Sequence, residues 1–498
     1  MCKRSTCIQA NADVQRHAAG RSGTPHRAHT QMAHRLLKWL TTFCVLSSVG
    51  AVKQVGTISL YDTSLPRPAG ITDPMAASQY AGGEVMGNAV WAYGAMLMLH
   101  PKASTHVAWP ESKKSAEWHR NDVSPSPDVL YAAFGPYLLD GSDEPWIYEL
   151  ANQLPREGRQ TGGLASPSRS MPPSVLALGL GVNNAKFDRR TRHEDPTDLP
   201  SGRYCQRKAN VICVINFDAA VEKFDLSNSS RSLLNVLEAQ SPGYGVRGRL
   251  THAVIARHGY TRAHVLGCPS LFINRHHGLG WRLQRRYDAL VDAHHSNTSA
   301  AHLRIAYNIH QTETPVMDLA MLQLVQQNEG SFVIVQESFN MQMIHDRIRR
   351  LLGVTFPSSK VRFFYRIEDW FDAVRTVDIQ VGSKIHGAMA SLAVETPFLL
   401  LPPDWRVQEM ADAMKLPALS SCNWCQLTEW AANPTANGLV TIAASTFQAE
   451  AFEMRRQELA CKNLALFNAV GLPLHPEVVP LCHPNHKQIG SSIPPSGV

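Results

Sequence analysis

A lysine and a histidine stand one residue apart where a helix should begin, at Ser383-Lys384-Ile385-His386. The surrounding stretch, VDIQVGSKIHGAMASLAVETPFLLLPP from Val377 to Pro403, reads as strand, tight turn, helix and strand. VDIQV is a short β-branched run, Gly382 permits the turn, and Ser383 is expected to be the N-cap. Ile385, Met389, Leu392 and Ala393 recur along one helical face. Thr396-Pro397 ends the helix, and FLLL is continuous enough for a strand buried on both faces. Lys384 and His386 then fall in the first turn, where the helix dipole disfavours a cation. Free N-terminal amides plus two basic side chains, with Ser383 before them and Ile385 between, suit an anion and above all a phosphate. The spacing fits equally well an exposed lysine and a hydrogen-bonded histidine at an ordinary αβ junction.

A second basic candidate lies upstream in GYGVRGRLTHAVIARHGYTRAHVLGCPSLFIN. Arg247 ends a strand beside a helix N-terminus, a position from which a guanidinium can grip a carboxylate or phosphate. Arg249 is not separable from it by sequence, and a surface arginine in a loop is the alternative for both. Further candidates collect where strands end: Tyr307 and Asn308, Gln336 and Glu337, then Asp404 and Arg406 after the last buried strand. For the last two, a helix N-cap at Asp404 with Arg406 in solvent competes with a role at the site. Near the start, Gly82, Gly83 and Gly87 precede a helix expected to open at Asn88, where a ligand phosphate or acceptor sugar can be cradled.

The elements that must position these residues alternate regularly. Strands are expected in GTISLYD, THVAW, DVLYAAFG, SVLALGLGV and VICVINFD, and a helix in DEPWIYELANQL. Another helix, DLSNSSRSLLNVLEA, should be capped within Ser227–Ser230, and stretches 155–171 and 186–209 read as loops. In the second half LRIAYNIH, FVIVQES, VRFFYR, VDIQV and FLLL alternate with helices near 316–327, 340–352, 367–376, 384–394 and 407–415, the rhythm of right-handed βαβ units on a parallel sheet. A long helix follows in FQAEAFEMRRQELACKNLALFNAVG, expected to pack back across the chain, and the tail after Pro473 reads as loop.

Several of these segments resemble the polysaccharide pyruvyltransferase family. Val246-Arg247-Gly248, Thr251, Gly267-Cys268-Pro269-Ser270 and SKIHGAMASLAVETPFLLL carry the resemblance, with the Gly87-Asn88 step and the Gly-x-Gly of ALGLGVNN as weaker echoes. The family usually has Arg where this chain has Lys384, a point charge in place of a bidentate fork. The resemblance implies an α/β fold of two Rossmann-like doubly wound domains facing a cleft, like glycosyltransferase-B enzymes. The expected organisation is a leader over 1–54, domains over 55–280 and 300–446, and a closing helix over 447–472, with 275–302 as the connection. It also implies transfer of a pyruvyl group from phosphoenolpyruvate to a glycan sugar, giving a pyruvate ketal, with no cofactor and no metal. Arg247, Lys384, Ser383 and Ile385 would hold the donor, and His386 is the choice for acid–base catalyst. A nucleotide-sugar glycosyltransferase and an inactive glycan-binding relative are the alternatives.

A chain of 498 residues, 44% hydrophobic and 18% charged, has room for two or three domains. Its formal charge of +7 is concentrated in residues 1–50, which hold seven Lys or Arg against one acid; the remainder is nearly neutral and gives no sign of a nucleic-acid partner. Residues 1–31 have no period, whereas Met32–Ala51 is a short basic and apolar segment suited to a signal peptide or anchor, the only expected membrane contact. The ten cysteines suggest no disulfide framework, and Cys422-Asn-Trp-Cys425 lacks a second ligand pair. Asn228 and Asn297 each begin a glycosylation sequon, relevant only on a secretory route.

Overall fold

The computed structural model describes residues 55–59, 86–99, 129–133, 138–139, 174–183, 221–222, 224–295, 303–310, 315–337, 340–352, 356–419 and 424–482. The expected strands THVAW and VICVINFD, the helix DEPWIYELANQL, the two loop stretches, the Met32–Ala51 segment, Cys422 and Asn297 lie outside them. Lys53–Val498 form one compact unit.

The first half supplies β1 (Val55–Ser59), α1 (Met86–Met98), β2 (Val129–Ala133), β3 (Leu138–Leu139), β4 (Ser174–Leu178) and β5 (Val182–Asn183). α2 (Asn228–Gln240), β6 (Tyr244–Val246), α3 (Arg249–Arg257) and β7 (Ala263–Val265) follow. β1, β2 and β4 pair in parallel, as do β6 and β7, and a parallel bridge from Leu180 to Val246 joins the two sets. Ser227 caps α2 as expected, its hydroxyl accepting from the Ser230 amide at 3.2 Å. Asn228 is the exposed first residue of that helix.

α4 (Leu279–His295) occupies most of the expected connection and buries Leu279, Leu283 and Tyr287. Then come β8 (Ile305–Asn308), α5 (Pro315–Gln327), β9 (Phe332–Ile334), α6 (Met341–Leu352), β10 (Val361–Arg362), α7 (Ile367–Arg375), β11 (Ile379–Gly382), α8 (Ile385–Ala393), β12 (Phe398–Leu400) and α9 (Trp405–Met414). The five strands are parallel in the order β10-β9-β8-β11-β12. That is the Rossmann order 3-2-1-4-5, and the α/β reading of the sequence holds. The chain leaves the sheet in opposite directions after β8 and β11, so a crevice opens between their carboxyl ends. β8, β11 and β12 are buried along their whole length, as continuous apolar strands between helical layers must be.

α8 lies where the spacing placed it. Ile385, Met389 and Leu392 are buried, each contributing about 1.5–3 kcal/mol of transfer free energy. Just past it Glu395 takes a left-handed φ of 61°, and its carboxylate receives Arg282 at 3.3 Å.

α10 (Trp424–Ala432) and α11 (Ala436–Thr446) lead to α12 (Ala449–Ala469) and a final turn, α13 (Val479–Cys482). α12 does pack back across the chain: Phe467 meets Tyr131 of β2 at 5.8 Å. Its buried face is partly polar. Glu453 accepts from the Gly278 and Gly280 amides at 3.1 and 3.0 Å, capping α4, and Arg456 donates to the His276 carbonyl at 2.8 Å. Two expectations for this end need correction. The segment after Pro473 is not plain loop, since Leu474 forms an antiparallel bridge with Leu99 and α13 follows. Cys461 and Cys482 are disulfide-bonded, their Cα atoms 4.6 Å apart because the chain doubles back after α12. Reversal of the chain, not cysteine spacing, creates that pair.

Candidate functional site

The carboxyl ends of β8 and β11 bring Asn308 beside Gly382, and the chain then enters α8. A Cβ on Gly382 would lie 2.5 Å from the Asn308 carbonyl oxygen, and one on Gly387 would lie 2.6 Å from Asn308 Nδ2. Backbone approach requires glycine at 382, whereas at 387 a side chain would displace the ends of Asn308 and Gln380. Lys384, not Ser383, is the N-cap. Its φ and ψ of −109° and 128° are extended and the helix starts at Ile385, leaving Ser383 one residue too early. Ser383 is buried, and its amide donates to the Asn308 carbonyl at 3.4 Å. Among the described residues no side chain caps α8, so the Ile385 and His386 amides have the free valence that an anion can satisfy. The Ile385 side chain points into the core and can offer a ligand only its backbone.

Cations and carboxylates alternate around this terminus. The Lys384 ammonium is in contact with the Glu337 carboxylate, and both are nearly buried. Burial first, and the Arg406 charge second, lower Lys384 to about 7, while its contact with Glu337 works the other way. Asp404 caps α9, accepting from the Arg406 and Val407 amides at 2.9 and 3.1 Å. Arg406 is not in solvent, however. Its guanidinium folds back onto Asp404 at 2.5 Å, because the same carboxylate serves cap and ion pair together. Burial raises the Asp404 carboxyl, but the Arg406 charge and these hydrogen bonds outweigh it and hold the group below its ordinary range. Gln336, Asn308 and Gln380 are buried beside this cluster, and among the described residues neither amide atom of Gln336 or Asn308 finds a partner.

Arg247 is buried and Arg249 is exposed, which separates the two. The Arg247 side chain occupies space that Gly181 leaves open: a Cβ there would sit 1.6 Å from Arg247 Nε. Of the two glycines in ALGLGVNN, Gly179 makes the turn with φ 84°, and Gly181 permits the approach. Arg247 Cζ lies 5.9 Å from the centre of the Trp91 ring. Burial lowers this guanidinium to about 10, against the pull of nearby Glu409.

His386 faces the same indole edge-on, with ring centroids 6.1 Å apart and an interplanar angle of 76°. Its Nε2 is buried with no partner among the described residues. Burial, then the Lys384 and Arg247 charges, push the imidazole down to about 3, so it is neutral in the ligand-free protein. Lys384, Glu337, Asp404 and Arg406 thus gather at the end of the second sheet, and Trp91 links Arg247 to His386. Gly87 and Asn88 lie inside the first turn of α1, which begins at Met86, and their side chains are not among those described.

Sequence reasoning missed Glu409 and Trp91. Glu409 is buried in α9 and accepts from the Thr251 amide at 3.0 Å and hydroxyl at 2.7 Å, satisfying the start of α3 from 158 residues away. Thr251 also accepts from the Val182 amide at 3.1 Å. Burial raises the Glu409 carboxyl, with Arg247 and Thr251 opposing. No local pattern marks such a residue. The Gly267-Cys268-Pro269-Ser270 segment is a clamp: Ser270 Oγ donates to the Val90 carbonyl at 2.9 Å. Burial raises the Cys268 thiol to about 11, which leaves it unreactive.

Residues 219–404 match the family model described as polysaccharide pyruvyl transferase. The chain is a transferase similar to that family. The matched segment contains Arg247, Lys384 and His386. No curated protein matches the sequence. Among solved structures, Anabaena Alr3699/HepE in complex with UDP is 10% identical, covers 83% of this chain and 100% of its own, and has a TM-score of 0.33. A UDP-N-acetylglucosamine 2-epimerase described as putative, from Listeria monocytogenes, is 11% identical over 84% and 98% of the two chains at a TM-score of 0.34. The Neisseria meningitidis UDP-GlcNAc 2-epimerase bound to UDP-GlcNAc is 10% identical over 79% and 97% at 0.31. At such scores these likenesses carry no argument, and the fold rests on the strand order.

Proposed function

We propose that this transferase moves a pyruvyl group from phosphoenolpyruvate to two hydroxyls of a glycan sugar, forming a pyruvate ketal and releasing phosphate. One observation carries the reading: the uncapped start of α8 lies between Lys384 and His386, and Trp91 connects His386 to the buried Arg247. Such a donor has a phosphate and a carboxylate on one carbon. Helix amides and Lys384 suit the phosphate, and a guanidinium suits the carboxylate.

In this reading His386 is the acid–base catalyst. Its imidazole is neutral before the donor arrives, and a bound phosphate dianion raises its proton affinity. The imidazolium then gives its proton to the donor methylene, and the first sugar hydroxyl adds to the neighbouring carbon as its own proton is removed. Phosphate departs with its oxygen, the second hydroxyl takes its place, and the last proton leaves with the phosphate. The acceptor in this reading is a glycan.

A second reading, an inactive glycan-binding relative, is favoured by one fact: Lys384 is already in contact with Glu337. A donor screen by thermal shift separates these. A ligand that binds only the folded chain raises its melting temperature by mass action. Phosphoenolpyruvate should do so, and nucleotide sugars should not. A shift with nucleotide sugars alone would replace the pyruvyl reading with a glycosyltransferase, and shifts with glycans alone would favour the inactive relative.

A further inference from the structure

We propose that Trp91 belongs to the donor site, where its indole N–H meets the carboxylate of the enolpyruvyl donor beside Arg247. This rests on the pyruvyl-transfer reading and adds to it a residue that no motif in the sequence marks. Trp91 is only 5% exposed, and its Nε1 is buried without an acceptor among the described residues. An indole N–H can only donate, and a buried donor left unmet is both costly and uncommon. The same ring stands against the two groups that the reaction needs, edge-on to His386 at 6.1 Å and under the Arg247 guanidinium at 5.9 Å.

The helix that carries the ring is held from behind. Ser270 Oγ donates to the Val90 carbonyl at 2.9 Å, and Tyr131 donates to the Ala95 carbonyl at 2.8 Å. A Cβ on Gly94 would fall 2.4 Å from Ser270 Cα, so α1 is pressed directly onto the Pro269–Phe272 turn. Backbone contacts on both sides of Trp91 fix α1 where the ring stands, with no bond to its nitrogen among the described residues.

Chemistry distinguishes the two ends of the donor. Its phosphate matches the free amides of α8 and the Lys384 ammonium. The carboxylate diverges from the same carbon and would meet Arg247 and Trp91, the indole of which stands against His386. There a neutral N–H adds direction to the charge of Arg247 without a further desolvated cation.

The test is calorimetric titration of the full chain with phosphoenolpyruvate and with inorganic phosphate. The unaltered chain should bind phosphoenolpyruvate, and failure there refutes the pyruvyl reading before Trp91 is in question. Trp91→Phe keeps a ring against Arg247 and His386 and removes the N–H. It should weaken phosphoenolpyruvate by about tenfold to a hundredfold, the range for losing a hydrogen bond to a charged group, with phosphate affinity unchanged in a chain that still folds. Unchanged phosphoenolpyruvate affinity would overturn the assignment, and equal losses for both ligands would overturn the carboxylate contact. If Trp91→Phe does not fold, the unaltered chain with 15N-labelled indoles decides. An indole N–H resonance should move downfield with phosphoenolpyruvate and stay in place with phosphate; no moving resonance refutes the proposal.

Discussion

Lys384 is the residue at which pH should act on donor binding, and Lys384→Arg is the perturbation that isolates it. Burial and the Arg406 charge lower the ammonium from 10.5 to about 7. A lowered lysine loses its charge as pH rises through the folded value, so the cation facing the donor disappears above about 7. If binding requires that charge, apparent affinity falls by nearly tenfold per pH unit once pH is well above 7, and about fiftyfold between pH 7 and 9, equivalent to about 2.3 kcal/mol. The fall ends at the higher value that Lys384 acquires in the complex. The donor phosphate is already a dianion over this range, since its second ionisation lies near 6. An arginine stays charged throughout, so Lys384→Arg should bind phosphoenolpyruvate with nearly constant affinity from pH 7 to 9. Calorimetric titrations at half-unit intervals give both profiles. Parallel profiles, or a flat one for the unaltered protein, would refute the reasoning. Stability carries its own sign: between about 7 and 10.5 the unfolded lysine holds a proton that the folded one lacks. The burial penalty is therefore complete below 7 and is relieved as pH rises toward 10.5.

Gly181→Ala would set a methyl 1.6 Å from Arg247 Nε, so the guanidinium must move; we expect about 1–3 kcal/mol of lost stability and at least about tenfold weaker phosphoenolpyruvate binding, read by denaturation and calorimetry. Unchanged affinity would show that Arg247 does not hold the donor. Glu409→Ala strips the Thr251 amide and hydroxyl of their acceptor and should cost about 3 kcal/mol in urea denaturation, with Glu409→Gln recovering part of it. No loss in Glu409→Ala would mean that the link between α9 and α3 contributes little.

Most of the second sheet was legible because its signals are local. Ile385, Met389 and Leu392 mark one face of α8, Gly382 the turn, and Pro397 the end, so element type and order follow from nearest neighbours in sequence. The cap was misread because Ser383 has the right side chain but sits one residue before the position whose backbone turns. Arg247 was legible and Glu409 was not, for the same reason: the first sits at a strand end in a motif, while the second acts across 158 residues. Trp91 reads as one more apolar residue of an ordinary helix, and only the packing of α1 on the Ser270 turn brings it to His386. Gln336 and Glu337 were placed by the rule that ligands gather at strand carboxyl ends, but their partners were not, because pairing depends on which loops face one another.

The most direct measurement is phosphate release from phosphoenolpyruvate in the presence of a panel of galactosides, glucosides and mannosides, with product masses recorded, for the unaltered chain and for His386→Ala. The account predicts acceptor-dependent phosphate release with a ketal on the glycoside, and a rate lower by roughly 10²–10⁴ in His386→Ala, whose donor affinity is retained. A folded His386→Ala protein with near-normal turnover, or no acceptor-dependent release from the unaltered chain across the panel, would contradict it.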